Sequence, residues 1–290
     1  MSLKIMALGC IHGVLKRSLI DAIKKEKPDA ILVSGDFTGS VHDDEVRKYE
    51  KDLVESFGPV SQFWPLKVQI DSEKKFAKWG KAAAENTSKV FNDLDKLGIP
   101  VYYIHGNWDS VSGDGINALE SPGHFPIDQV RGKNLKFIHE KVVKVGNFSV
   151  IGFGGYRGSS AKEYLVGNVP EDDPGMEQIR EIRDDMRRRM ESLFGRVKDP
   201  GKTILLTHDP PYKLHDYLES AKKNYGEKVT RDVIEKFGPA ICICSHFHEH
   251  QGSGKIKNTV VVNSGYGREG QCVVIEIGDK SRSKVTLKNF

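Results

Sequence analysis

The chain has 290 residues, enough for one large buried core or two ordinary ones, and its 38% apolar and 29% charged composition is that of a globular protein. Its 44 basic and 40 acidic side chains leave a formal charge of +4, too small to argue by itself for nucleic acid or an anionic membrane. No apolar run approaches the ~20 residues of a membrane span, and the four cysteines, Cys10, Cys242, Cys244 and Cys272, form neither a C-x-x-C nor a disulfide-like framework, so reduced thiols are expected.

Leu3 to Gly9 alternates short apolar residues, is shorter than most signal-peptide cores, and runs into Cys10-Ile11-His12-Gly13. It reads as the first strand of a soluble, cytoplasmic protein. Val14 to Lys25 carries Leu15, Leu19, Ile20 and Ile23 at helical spacing, and Pro28 stops it. A second buried strand, Asp29 to Ser34, ends in Gly35-Asp36-Phe37-Thr38-Gly39, where flanking glycines allow a tight turn around one carboxylate. From Ser40 to Leu97 the pattern is helical and charged, in two pieces broken near Phe57-Gly58-Pro59 and Trp64-Pro65. Its aromatics, Phe57, Phe63, Trp64, Phe76 and Trp79, read as the packing face of a helical layer, with a wall or lid over a site as the alternative.

The third strand, Ile99 to Ile104, empties into His105-Gly106-Asn107-Trp108-Asp109. Strands near Leu135 to His139, Val142 to Val145 and Phe148 to Phe153 follow, the last ending in Gly154-Gly155-Tyr156-Arg157-Gly158. A plain turn is favoured there over a phosphate cradle with Arg157. Met176 to Phe194 is a helix whose arginines, Arg180, Arg183 and Arg187 to Arg189, alternate with acids, the mark of a solvated face more than of a nucleic-acid surface. Lys202 to Leu206 delivers Thr207-His208-Asp209-Pro210-Pro211-Tyr212, Val229 to Phe237 is a short helix, and Ala240 to Cys244 leads to Ser245-His246-Phe247-His248. Thr259 to Asn263, Cys272 to Ile277 and Ser283 to Leu287 are three consecutive strand candidates that suggest a second sheet packed on the first. The strand-loop-helix rhythm points to an α/β architecture with functional groups at strand ends. Because those groups run from His12 to His248, residues 1–290 are expected to form one domain, with a helical insertion at about 40–97 and a helical excursion at about 159–198.

The strand ends present His12, Asp36, Asn107, His208, His246 and His248. In an extended strand end, His246 and His248 point the same way, toward one cation or two adjacent ones. Mixed imidazole, carboxylate and amide ligands suit Mn, Fe, Zn or Ni better than Mg. Six ligands suggest two divalent ions with Asp36 between them, a pair able to orient a phosphate ester, activate a water and neutralise charge on phosphorus during in-line attack.

These motifs resemble those of the calcineurin-like metallophosphoesterases, whose pattern is D-x-H, GDxxD or a variant, GNH followed by an acid, a lone H, and GHxH, each at a strand end. Here it reads C-I-H (Cys10, His12), G-D-F-T-G (Gly35 to Gly39), G-N-W-D (Gly106 to Asp109), His208, and S-H-F-H (Ser245 to His248). Within that superfamily the chain looks closest to the small prokaryotic phosphoesterases related to Icc, by T-H-D-P-P-Y, G-F-G-G and V-V-V-N-S-G. The resemblance implies a four-layer α/β/β/α sandwich with two mixed sheets. It implies one metal on His12, Asp36 and His248, with Cys10 in place of the usual Asp, and another on Asp36, Asn107, His208 and His246. It further implies hydrolysis of a phosphate mono- or diester, of a small molecule or a nucleotide, by a hydroxide held between the metals, with His12, Asp36, Asn107 and His208 carrying catalysis.

The departures leave alternatives open. Cys10 either contributes a thiolate that biases its position toward Zn or Fe, or does not bind and leaves that position weak. Trp108 stands where the family's usual His serves as the acid, and His250 and His215 are candidates to replace it. Gly39 and Ser245 alter neighbouring positions. A non-catalytic scaffold on the same fold, motivated by Cys10 and Trp108, and a nuclease, motivated by the arginine-rich helix, are the competing functional classes.

Overall fold

The computed structural model describes residues 2–39, 42–57, 66–112, 125–155, 175–278 and 283–290. In chain order, β1 (Leu3–Leu8), α1 (Arg17–Glu26), β2 (Ala30–Val33), α2 (Asp43–Phe57), α3 (Leu66–Asp95), β3 (Val101–Tyr103) and β4 (Leu135–Phe137) make up the first half. Then follow β5 (Lys141–Val145), β6 (Phe148–Phe153), α4 (Gly175–Gly195), β7 (Thr203–Thr207), the short hairpin β8 (Tyr217–Leu218) and β9 (Lys223–Asn224), α5 (Lys228–Phe237) and β10 (Ile241–Cys244). β11 (Gly252–Ile256), β12 (Thr259–Asn263), β13 (Gln271–Ile277) and β14 (Ser283–Asn289) close the chain.

Two six-stranded sheets result, ordered β14-β13-β1-β2-β3-β4 and β11-β12-β10-β7-β6-β5. Both are mixed. β1, β2, β3 and β4 are parallel in the first, and β6, β7, β10 and β12 in the second, with antiparallel strands at the edges. Strands covered on both faces must be apolar on both, which explains the unbroken apolar runs. In β1, Ile5 and Ala7 face the second sheet in one core with Ile204, Leu206, Ile241 and Ile243. Met6 and Leu8 face the other way, onto Leu19 and Ile23 of α1 and Val90, Phe91 and Leu94 of α3. The outer face of the second sheet packs Leu205, Cys242 and Val261 against Met190, Leu193 and Phe194 of α4 and Val229, Val233 and Ile234 of α5. Helix, sheet, sheet, helix is the resulting layer order, the four-layer sandwich expected.

The three C-terminal strands do not build one new sheet together. β12 joins the second sheet beside β10, while β13 and β14 extend the first by antiparallel pairing on β1. Of the aromatics expected in the packing face, Phe76 and Trp79 pack together and with Tyr49, edge to face at 5.5–6.0 Å between centroids, and join α2 to α3. Phe63, Trp64, Arg157 and the side chain of Phe57 fall outside what the structure describes. On α4, Arg187 pairs with Asp184 and reaches Asp232 of α5 at 2.8 Å, Arg188 pairs with Asp185, and Arg189 with Asp185 and Glu140, so these arginines are matched by acids at the surface. Among the described residues no helix is long and apolar enough to cross a membrane.

Candidate metal centre

The ends of five parallel strands converge. β1 delivers Cys10 and His12, β2 Asp36, β3 Asn107, β7 His208, and β10 His246 and His248. The chain enters this region through unfavourable backbone: Cys10, His12, Asp36 and His246 all have positive φ, between 44° and 69°. For residues with a Cβ each such conformation costs on the order of 1–3 kcal/mol, so the surroundings must enforce it. They do so with a ladder of amides, Cys10 N–H to Gly35 O at 3.0 Å, His12 N–H to Asp36 O at 2.9 Å and Gly13 N–H to Phe37 O at 2.8 Å. Gly106 is required by proximity: a Cβ there would lie 2.3 Å from Asp36 Oδ1 and 2.6 Å from His208 Cε1.

Asp36 is the hinge of the arrangement. Its Oδ1 accepts the Trp108 N–H at 2.8 Å, which turns Oδ2 inward. That single oxygen lies 3.4 Å from His208 Nε2, 3.6 Å from His12 Nε2 and 3.8 Å from Cys10 Sγ. Two groups of donor atoms diverge from it. In one, His208 Nε2 lies 2.9 Å from Asn107 Oδ1 and 3.2 Å from His246 Nδ1, and the last two are 3.1 Å apart. In the other, Cys10, His12 and His248 bring ligand atoms within 4.8 Å of one another.

Hydrogen bonding fixes which atoms carry lone pairs. His208 Nδ1 donates to the Ser34 carbonyl at 2.7 Å, and His12 Nδ1 to the Thr38 carbonyl at 3.3 Å. In the neutral rings both Nε2 atoms are therefore acceptors. His12 Nε2 is buried and has no hydrogen-bond partner. Around His208 an amide oxygen, an imidazole nitrogen and a carboxylate oxygen converge on another lone pair. Acceptors facing acceptors are repulsive unless something positive sits among them. Ligands about 2.1 Å from a tetrahedral cation lie roughly 3.4 Å from each other, close to the separations seen here. The residues fit divalent transition metals, and a mixed nitrogen, oxygen and sulfur set is not the all-oxygen environment that Mg prefers.

The charge states agree. Burial pushes His12 down to about 4 and His246, beside cationic His208, to about 3, so both rings are neutral at pH 7. Burial also lowers His208, but the Asp36 carboxylate overcomes it and raises the ring to about 9, while His208 and His12 hold Asp36 well below the carboxylate range against its own burial. Without metal, a proton on His208 does the work of a cation. A histidine raised in this way stabilises the metal-free fold fully below about pH 6.5, and that contribution is lost as pH rises through about 9. Metal must displace the same proton, so its affinity changes in the opposite sense. Titration of the metal-stripped protein with Mn should show affinity climbing about tenfold per pH unit up to about 9. A flat profile below that value would rule out displacement of the His208 proton.

The structure separates the H-x-H pair. His246 adopts positive φ and His248 opens a 3-10 turn, so the extended geometry expected from the sequence does not hold. His246 joins Asn107 and His208, whereas His248 stacks on Tyr266 at 3.9 Å and lies edge to face with His12 at 5.4 Å. Of the expected replacements for the acid, His250 Nε2 donates to the Tyr217 carbonyl at 2.6 Å, and His215 packs against Gly252 of β11 with its Nε2 buried and without a hydrogen-bond partner. Trp108 lies edge to face with His12 at 5.3 Å, a packing contact. In the glycine turn the amides are already used, Gly154 N–H on His139 Nδ1 and Gly155 N–H on the His105 carbonyl, which agrees with a plain turn.

Two acids passed over by the sequence reading matter here. Asp109 is fully buried and accepts four backbone N–H groups, from Phe37 and Thr38 on Oδ1 and from Asp36 and Gly106 on Oδ2, at 2.7–2.9 Å. It clamps the loop carrying Asp36 to the loop carrying Asn107. Asp209 groups with His208 and His246, its Oδ1 3.9 Å from His246 Nε2, on the ring edge opposite the one that faces Asn107. A carboxylate on the far nitrogen is how metal-binding imidazoles are commonly oriented, and the partly buried Asp209 stands beside His246 Nε2 without hydrogen-bonding to it. Its position directly after His208 was the available signal.

The class of protein follows from these features: an α/β/β/α sandwich presenting imidazole, carboxylate, amide and thiol groups at its strand ends. A family model described as metallophosphoesterase, calcineurin superfamily, matches residues 1–290, and the chain belongs to that superfamily. An uncharacterized protein of Methanocaldococcus jannaschii, MJ1162, is 31% identical over 141 residues, 47% of this chain and 56% of that protein, so the match spans about half of each. TT1561 of Thermus thermophilus superposes with a TM-score of 0.52 at 15% identity, covering 100% of this chain and 99% of the other. A candidate 5′-nucleotidase from Staphylococcus aureus gives 0.50 at 10% identity over 100% of this chain and 53% of that one. At these identities the structures speak for the fold.

Proposed function

We propose that the protein is a metal-dependent hydrolase of phosphate mono- or diesters, acting on a small molecule or a nucleotide, and that residues 1–290 work as one domain. One observation carries the reading: a single oxygen, Asp36 Oδ2, is shared between two clusters of ligand atoms whose lone pairs face one another. Two divalent ions held there would supply Lewis acidity for the phosphoryl oxygens and a water activated near neutral pH. The chain's own residues do the positioning. Trp108 N–H fixes Oδ1 so that Oδ2 is the shared atom. Ser34 and Thr38 carbonyls hold the His208 and His12 protons on the outer nitrogens. The Trp108 ring walls one side of His12 against water. His208, Asn107 and His246 would hold one ion and His12 and His248 the other, with Asp36 placed to serve both.

The metal-stripped protein, reconstituted separately with Mn, Fe, Zn, Ni or Mg, should hydrolyse aryl phosphate mono- or diesters, and the preferred ester would define the class. No turnover with any ion, or equal turnover without metal, would overturn the reading and favour a binding scaffold. Since Trp108 occupies the place of the usual acid, esters with poor leaving groups should be slow. Trp108→His should accelerate an alkyl phosphate about 10²-fold while changing an aryl phosphate little. Equal effects on both esters would argue against an acid deficit.

A further inference from the structure

The four cysteines are all buried, yet they differ in what their sulfurs do. Cys244 Sγ donates its proton to the Val262 carbonyl at 3.4 Å, as a core thiol does. Cys242 Sγ meets the Thr207 hydroxyl at 3.8 Å within an apolar cluster, and Cys272 sits among apolar side chains on the outer face of the first sheet. Cys10 does both: its thiol donates to Asp36 Oδ2 at 3.8 Å, and its sulfur is also an acceptor. The His246 N–H points at its Sγ from 3.3 Å, and the Ser245 hydroxyl, which accepts from Ser34 Oγ at 2.9 Å and lies 3.5 Å from the Ser34 carbonyl, sits beside the sulfur. A backbone N–H aimed at a buried sulfur suits a thiolate, which is a stronger acceptor than a thiol, but burial and the Asp36 carboxylate push the Cys10 thiol well up, so a cation beside the sulfur is what would draw its proton off.

The surroundings also say where the compensating charge belongs. Cys10 Sγ lies 3.8 Å from Asp36 Oδ2 and within ligand distance of His12 and His248. The buried, unpartnered His12 Nε2 is on the same side, 3.6 Å from the same carboxylate oxygen. A strained φ of 51°, held by the Cys10 N–H to Gly35 bond and by the Arg268 N–H on the Cys10 carbonyl, sets the direction of this side chain. Two of the departures from the family pattern, Cys10 for an acid and Ser245 for a glycine, lie 235 positions apart in the sequence but are neighbours in the fold.

We propose that Cys10 is a thiolate ligand and makes the first metal position a soft one, selective for zinc or ferrous iron, with Cys10 Sγ, His12 Nε2, His248 and Asp36 Oδ2 as its donors and Ser245 steadying the sulfur. The second position, with Asn107, His208, His246 and the shared Asp36, has no sulfur and accepts harder ions such as Mn. The two positions therefore load with different metals. Thiolate favours zinc, iron and copper(I) over Mn and Mg, whereas imidazole, amide and carboxylate discriminate less. This rests on reading the strand-end cluster as a metal centre.

Cobalt(II) is the probe, because a cobalt-thiolate bond gives an intense sulfur-to-metal charge-transfer band in the near ultraviolet that nitrogen and oxygen ligands do not give. Metal-stripped wild-type protein should develop that band on adding cobalt(II), and zinc should bleach it. The band should be lost in Cys10→Ser and Cys10→Asp, and kept in Asn107→Ala, whose amide faces only the other cluster. Cys10→Asp guards against misfolding: it should still bind cobalt, without the band, and should lose its preference for zinc over Mn. Ser245→Gly should weaken zinc retention about 10- to 100-fold. Cobalt binding by wild type without the band, or a band that survives in the Cys10 variants, would overturn the proposal. Failure of the hydrolase reading is distinguishable. Metal-dependent turnover without a thiolate band leaves that reading standing and removes this one, whereas a band without turnover on any ester does the reverse.

Discussion

His208→Ala is expected to lower kcat/KM for any ester the protein hydrolyses by at least about 10³-fold, equivalent to roughly 4 kcal/mol of transition-state stabilisation. The side chain is fully buried, with its outer nitrogen on the Ser34 carbonyl and its inner nitrogen facing Asn107, His246 and Asp36. It touches three other candidate ligands, as many as Asp36 does. Removing it leaves the Asp36 carboxylate buried beside one fewer partner and deprives the second position of a nitrogen ligand. The loss should appear in kcat and in metal affinity together, and excess metal should not restore it. The fold should survive, since the truncation leaves β7 and its neighbours intact, and near-ultraviolet circular dichroism would establish that. An activity within tenfold of wild type in a folded, metal-loaded variant would remove His208 from the site and with it the proposed function.

How much of this was legible in the sequence follows from which interactions are local. The strand ends could be read because doubly covered strands are apolar on both faces and stop abruptly at a polar residue, as β7 does at His208 and β10 at Ser245. The family pattern then supplied order and spacing. Partner choice was not legible: β13 and β14 pair with β1, at the opposite end of the chain, and nothing in their own alternation distinguishes that from pairing with β12. β11 was missed because Gly252-Ser253-Gly254 has almost no strand propensity and is held by β12 alone. The turn that sends His246 and His248 to different clusters depends on a positive φ at a residue other than glycine or asparagine, which composition does not announce. The Ser245 to Cys10 contact is set only when two sheets meet.

Asp109 belongs with these, and Asp109→Asn is the substitution expected to cost most in stability. The two residues have the same shape, and only one atom changes from acceptor to donor. Each carboxylate oxygen receives two backbone N–H groups, so whichever oxygen becomes an amino group leaves two buried donors facing a third. At about 1–3 kcal/mol for each unsatisfied donor, the loss should be roughly 3–5 kcal/mol, and Tm should fall on the order of 10 °C. Burial, with the Asp36 charge adding to it, raises the Asp109 carboxyl to about 6. An acid raised this way favours the fold below about pH 4, and that contribution is lost as pH rises through about 6. Cations held at Asp36 would offset that repulsion and keep Asp109 a full carboxylate to lower pH. The Tm penalty of Asp109→Asn should therefore be larger in the metal-loaded protein than in the stripped one near pH 6. Metal affinity should fall as well, because the clamp sets the spacing between the Asp36 and Asn107 loops. Equal penalties in both states would mean that Asp109 supports the fold without being coupled to the metal centre, and a change in Tm within about 1 °C would mean that the four-amide clamp does not form.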